Sequence, residues 1–132
     1  MKFSSKRRGG FTLVEIMIVV AIIALLAAIA VPGFLRARKR SQASKVLNDL
    51  RMLDAAIDQY AIETNKLGGA SVGTDDWIKY VKKDTNLYVT GADMFGHEFG
   101  QQLVDTLPKV PPATYDALSD VADNAFWSPF AP

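Results

Sequence analysis

The chain contains no cysteine, which removes disulfides, thiolate metal sites and cysteine nucleophiles from consideration. A small domain outside the cytoplasm would have to be stapled by other means. Histidine is almost as scarce, with His97 standing alone among 132 residues. It sits in "DMFGHEFG", where His97-Glu98 begins like the H-E-x-x-H of metalloproteases. Position 101 is Gln101, however, and the glycines at 96 and 100 favour a turn over a helix. His97 is therefore expected on a surface loop. The acids Asp75, Asp76, Asp84, Asp93, Asp105, Asp116, Asp120 and Asp123 are scattered, and none follows the D-x-D-x-D-G spacing of a calcium loop. No nucleophile and general base stand together, no glycine-rich phosphate loop opens a helix, and no basic residues interleave with aromatics. The chain reads as non-catalytic.

Basic and acidic residues nearly balance, 15 Lys plus Arg against 14 Asp plus Glu, but their distribution is uneven. Lys2, Lys6, Arg7 and Arg8 stand in the first ten residues with no acid among them. Without these four, 11 basic residues face 14 acidic ones, a net of −3. A nucleic-acid binder would show a basic face on its folded part, so no nucleic-acid partner is indicated.

Charge is missing altogether between Ile16 and Leu35. About twenty residues rising ~1.5 Å each cover the ~30 Å hydrocarbon core of a bilayer, so this run is a transmembrane candidate. A secretory signal peptide is the rival. Lys2 to Arg8 would be its basic region, Ile16 to Ala27 its apolar region and Ala28-Ile29-Ala30 its A-x-A cleavage site. Two features favour the span: the apolar run continues through Val31, Phe34 and Leu35, and Glu15 interrupts the start. Lys6, Arg7 and Arg8 favour a cytoplasmic N-terminal side. Arg36, Arg38, Lys39 and Arg40 flank the other end almost equally, so the preference is narrow. Those distal residues either snorkel as a solvated helix end, lie against anionic headgroups, or pair with acids of a neighbouring chain.

"GGFTLVE" at Gly9 to Glu15, followed by the apolar run and Pro32, resembles the N-terminal signature of type IV pilins and type II secretion pseudopilins. The resemblance implies a leader, residues 1–10, cut by a membrane-embedded prepilin peptidase between Gly10 and Phe11. The same enzyme would then methylate the new amine of Phe11. Counted from Phe11, Glu15 is the fifth residue and Pro32 the twenty-second, where the family places its glutamate and often a proline. Residues 11–35 would form the transmembrane and filament-core helix, 36–69 an amphipathic continuation, and 70–132 a small globular head. The implied fold is α+β and pilin-like, a long N-terminal helix packed on a small antiparallel sheet with short helices. The implied partners are other copies of the chain, other pilins or pseudopilins, the peptidase, an inner-membrane assembly platform, and lipid before assembly. Localisation would be the bacterial inner membrane, single-pass with the head in the periplasm, and then a periplasmic or extracellular filament.

Glu15 needs a physical reason. Acidic residues at the centre of a membrane helix cost about 2.5–3.5 kcal/mol. Near the end of a span the cost is lower, and a helix N-terminus favours negative charge; a tolerated first-turn acid is one account. The family resemblance offers another: an assembly salt bridge, with the freed Phe11 amine of one subunit meeting Glu15 of another in a dry core. Neither charge could remain there alone, so the pair would fix the stagger between subunits. The Thr12 hydroxyl either caps the helix start or bonds a backbone carbonyl. Pro32-Gly33 is expected to break or loosen the helix; a kink is one account, and the resemblance implies a melted segment just before it in filaments, the two being compatible in different states.

Helical spacing returns from Phe34, with Val46, Leu50, Leu53, Ile57 and Tyr60 forming one apolar stripe. Lys66 and Gly68-Gly69 supply a stop, so the long helix is expected from about Phe11 to Lys66. Thr74-Asp75-Asp76 opens a short helix with Trp77, Ile78 and Val81 facing inward. "NLYVT" (Asn86 to Thr90) and "GQQLVDTL" (Gly100 to Leu107) are expected strands. Pro111-Pro112 opens another helix carrying Tyr115, Leu118 and Val121, and the aromatic tail "NAFWSPFAP" is expected to complete the core. "DMFGHE" at Asp93 to Glu98 is similar to a "D-P-W-G-N-P" stretch of major pseudopilins, some of which stiffen that loop with calcium. By that resemblance Asp93 is a candidate calcium ligand; no other cofactor is implied.

The function expected is a structural subunit of a type IV pilus-like or type II secretion pseudopilus filament. The alternatives are a soluble periplasmic protein released after Ala30 and a single-pass tethered binding protein.

Overall fold

The computed structural model describes Lys2 and residues 9–132. Most of the expected leader, including Lys6, Arg7 and Arg8, lies outside the described residues. From Leu13 to Thr64 the chain is one helix of 52 residues, α1. It does not break at Pro32-Gly33, which corrects the expected interruption. A proline removes a single N–H from the ladder, and long helical runs on both sides keep the segment helical by cooperativity. The C-terminal end also differs slightly from expectation. Asn65, with φ of 53°, turns the chain left-handed before Lys66 and the glycine pair are reached; asparagine tolerates that conformation because its short polar side chain bonds locally.

Contacts divide the chain into residues 1–35 and 36–132. In the second unit, α1 buries Ala43, Val46, Leu50, Leu53, Ala56 and Ile57, with Tyr60 partly buried against them. The 3.6-residue period puts this stripe on one face, and the burial of each large member stabilises by about 1.5–3 kcal/mol. Val72, Trp77, Val81, Leu87, Val104, Val110, Leu118, Trp127 and Phe130 complete the core.

The sheet is minimal. Strands β1 (Ser71–Val72) and β2 (Gln102–Leu103) pair antiparallel, Ser71 opposite Leu103 and Val72 opposite Gln102. Gly69 N–H to Val104 O (2.9 Å) and Val104 N–H to Ala70 O (3.0 Å) extend the ladder. Of the expected strand from Gly100 to Leu107 only this pair is realised, because Asp105 (φ 58°) turns the chain directly afterwards. Helix α2 (Thr74–Trp77) runs into a 3-10 turn at Ile78–Tyr80. Trp77 is fully buried, its Nε1–H donating to Gly100 O at 3.2 Å.

The expected strand at Asn86 to Thr90 is a helix, α3 (Asn86–Thr90). Thr85 Oγ1 accepts from Tyr88 N–H at 3.2 Å, and Gly91 (φ 64°) closes the other end with its N–H on Leu87 O at 2.9 Å. Two caps on five residues override the β preference of Tyr88, Val89 and Thr90. Helix α4 (Pro112–Leu118) begins with proline at its first position, as expected. Helix α5 (Asn124–Trp127) is capped by Asp123, whose Oδ1 accepts from Phe126 N–H at 2.9 Å. The tail closes the core through buried Trp127 and Phe130, and Val110 N–H bonds Phe130 O at 3.0 Å. The architecture is α+β and pilin-like: a long N-terminal apolar helix, a two-stranded antiparallel sheet and short helices.

Candidate functional site: the N-terminal segment

Gly9, Gly10, Phe11 and Thr12 precede α1 without regular structure, and all four are exposed. A methyl group added at Gly9 or Gly10 would meet nothing within 4 Å among the described residues. Among the described residues, nothing crowds the peptide bond between Gly10 and Phe11, and Phe11 is 87% exposed.

Helix α1 starts on a reciprocal pair of bonds. Glu15 N–H donates to Thr12 Oγ1 at 3.2 Å, and Thr12 N–H donates to Glu15 Oε2 at 3.0 Å. This is the capping box, in which a Thr at the N-cap and a Glu three residues on satisfy one another's backbone donors. It decides between the two roles open to Thr12: the hydroxyl caps. Thr12-Leu13-Val14-Glu15 spells the T-x-x-E signature, a local signal that accounts for part of Glu15's position without reference to any neighbour. The acid also sits where the helix dipole favours negative charge.

Beyond Glu15 every side chain through Leu35 is exposed, among them Leu25, Ile29 and Phe34. Among the described residues α1 is the one helix long and apolar enough to cross a membrane. So large a continuous apolar surface on an isolated chain marks a site that meets lipid or protein.

The other sequence candidates lie in the second unit. Asp93 is buried, and its carboxylate is occupied. Phe95 N–H (2.9 Å) and His97 N–H (3.0 Å) both donate to Oδ1, and Thr114 Oγ1 donates to Oδ2. A calcium ion takes six to eight oxygen ligands, whereas amide hydrogens surround this carboxylate. Among the described residues, no three His, Asp or Glu side chains are grouped to hold a metal ion. The residues present do not fit calcium at Asp93. His97 is not a free surface histidine either: its Nδ1 lies 2.7 Å from Thr114 Oγ1 and 3.7 Å from Asp93 Oδ2, and its ring stacks on Phe95. Thr114, which joins the two, went unnoticed in the sequence because it lies 17 residues from His97 with no motif between them.

The second unit also carries a half-buried acid, Asp49, in a cleft with Ser44, Lys45, Asn48, Asn86 and Met94. Burial and, next, the charge of Asp93 push its carboxyl up to about 6. On the surface, Lys39 Nζ bonds Asp120 Oδ2 at 2.9 Å and holds that carboxyl below its ordinary range. The structure thus puts one of the cations flanking the apolar run in an intrachain ion pair, and it is exposed, where such pairs contribute little.

The prokaryotic N-terminal methylation motif matches residues 5–31. The type II secretion system core protein G of Aeromonas hydrophila is 31% identical over 70 residues, 53% of this chain and 49% of the relative. The type IV major fimbrial protein FimA of Dichelobacter nodosus is 42% identical over 64 residues, 48% of this chain and 41% of the relative. Fimbrial protein Q of Moraxella bovis is 44% identical over 71 residues, 52% and 45% respectively. The chain thus spans about half the length, or less, of these curated relatives. No solved structure matches. Residues 5–31 thus match the prokaryotic N-terminal methylation motif, and the chain's homologues are type II secretion core protein G and the type IV pilins.

Proposed function

We propose that this chain is a structural subunit of a type IV pilus-like or type II secretion pseudopilus filament, polymerised through the first half of α1. The observation that carries this is the wholly exposed apolar helix from Leu13 to Leu35 with one carboxylate, Glu15, at its start. Before assembly that surface is covered by lipid, with the chain crossing the inner membrane once and the head in the periplasm. In the filament the surface is covered by the same helices of other subunits. The chain works as a structural part and performs no catalysis of its own.

Prepilin peptidase cuts between Gly10 and Phe11 and methylates Phe11. Until then the Phe11 nitrogen is an amide; afterwards it is a cationic amine four residues ahead of Glu15. In an apolar bundle an amine and a carboxylate from neighbouring chains compensate one another only at one stagger, and any other stagger leaves both stranded. Glu15→Leu is therefore expected to enter the membrane and to yield no filaments. Normal filaments from that variant would remove the salt bridge from the account. Mass and N-terminal sequencing of the mature protein test the wider reading. A methylated Phe11 start supports it. A start at Val31 points to secretion, an intact Met1 points to a tethered protein, and either overturns it.

A further inference from the structure

We propose that the Asp93–Thr114–His97 cluster is a proton-ordered clamp that fastens the 92–98 loop to α4 without a metal ion, and that it fixes His97 in the Nδ1–H form. Three observations carry this. The loop closes on itself through Asp93 N–H to His97 O and Gly96 N–H to Asp93 O, both 3.0 Å, and Gly96 (φ 83°) supplies the left-handed turn. Asp93 is buried within it, its Oδ1 accepting from the N–H groups of Phe95 and His97. Thr114, fully buried on α4, presents its hydroxyl to both Asp93 Oδ2 and His97 Nδ1.

A hydroxyl has one hydrogen and two lone pairs. Asp93 Oδ1 already accepts two backbone N–H groups, and the Thr114 hydroxyl donates its hydrogen to Oδ2. Thr114 Oγ1 then has only lone pairs to offer at 2.7 Å, so His97 Nδ1 must carry the proton. The order runs from His97 Nδ1–H to Thr114 Oγ1–H to Asp93 Oδ2. Three of the carboxylate's approximately four acceptor positions are filled by hydrogens of the protein itself, the positions a hard cation would need. The clamp takes over the task for which a calcium ion or a disulfide would otherwise serve in a chain without cysteine.

Because the chain has a single histidine, 15N-histidine labelling of the full chain in nonionic detergent micelles gives one imidazole to read. At about pH 8, where imidazole is ordinarily neutral, Nδ1 is expected to be the protonated nitrogen. The melting temperature is expected to be the same in EGTA and in excess calcium chloride. Thr114→Val, which keeps the shape and removes the hydroxyl, is expected to lower it by roughly 4–8 °C or more, and Thr114→Ser to recover most of the loss. A bare Nδ1 with protonated Nε2, a melting temperature raised by calcium, or an unchanged Thr114→Val each overturns the proposal. If Thr114→Val does not fold, the tautomer and the calcium comparison on the unaltered chain decide.

Discussion

Asp49 shows how a single buried edge tunes stability. Its carboxyl is raised from the ordinary 3.8 to about 6, by burial first and by Asp93 second. The folded chain therefore holds a proton through a range in which the unfolded chain has lost it. Stability falls as pH rises from about 4 to about 6 and is flat above. Asp49→Asn is expected to raise stability at pH 7, on the order of 1 kcal/mol once solvent screening of this half-exposed group is counted. It should also flatten that slope; melting temperatures between pH 4 and 8 measure both, and an unchanged slope would refute the assignment. Glu63 and Asp120, lowered by hydrogen bonds from Gln59 and Lys39, act in the opposite sense at lower pH. Residue by residue, the N-terminal segment was legible because its signals are local: glycine pair, aromatic, threonine, glutamate. The role of Asp93 was not, since Thr114 is 21 residues away and nothing in the sequence links the two.

At the scale of elements, periodicity found what was long and missed what was short. The stripe from Val46 to Tyr60 repeats often enough to be read directly, and its members are buried or partly buried as expected. Five residues at Asn86–Thr90 offer no period, so β-branched content dominated the expectation, while the deciding residues were the caps at Thr85 and Gly91. Substitution checks this. Thr85→Ala is expected to cost about 1 kcal/mol. Gly91→Ala should cost more, because a left-handed φ of 64° is joined by a Cβ that would stand 2.8 Å from Thr74 Cγ2. Chemical denaturation of the two variants measures both losses; no loss from either would show that α3 does not depend on its caps. Proline misled in the other direction. Pro32 is a strong local signal, yet 52 residues of continuous helix absorb it.

For the whole molecule, the two units of the chain answer to different solvents. Residues 36–132 bury a continuous core around α1, Trp77 and Trp127, whereas the side chains from Leu13 to Leu35 are all exposed. Residues 36–132 expressed alone are expected to stay soluble and to melt cooperatively in plain buffer, while the full chain requires detergent. Aggregation of the fragment without detergent would show that its fold depends on the first unit. The capping box has a consequence on this scale too. Thr12 N–H holds Glu15 Oε2, and the proposed cut after Gly10 would leave that amide untouched, so the oxygen beside it would stay available for a cation. In the proposed filament the glutamate would approach an adjoining chain with its rotamer already chosen, and docking would not have to freeze it afresh. On the proposed function, leader removal would add a charge to the helix tip without having to rebuild the surface that receives one.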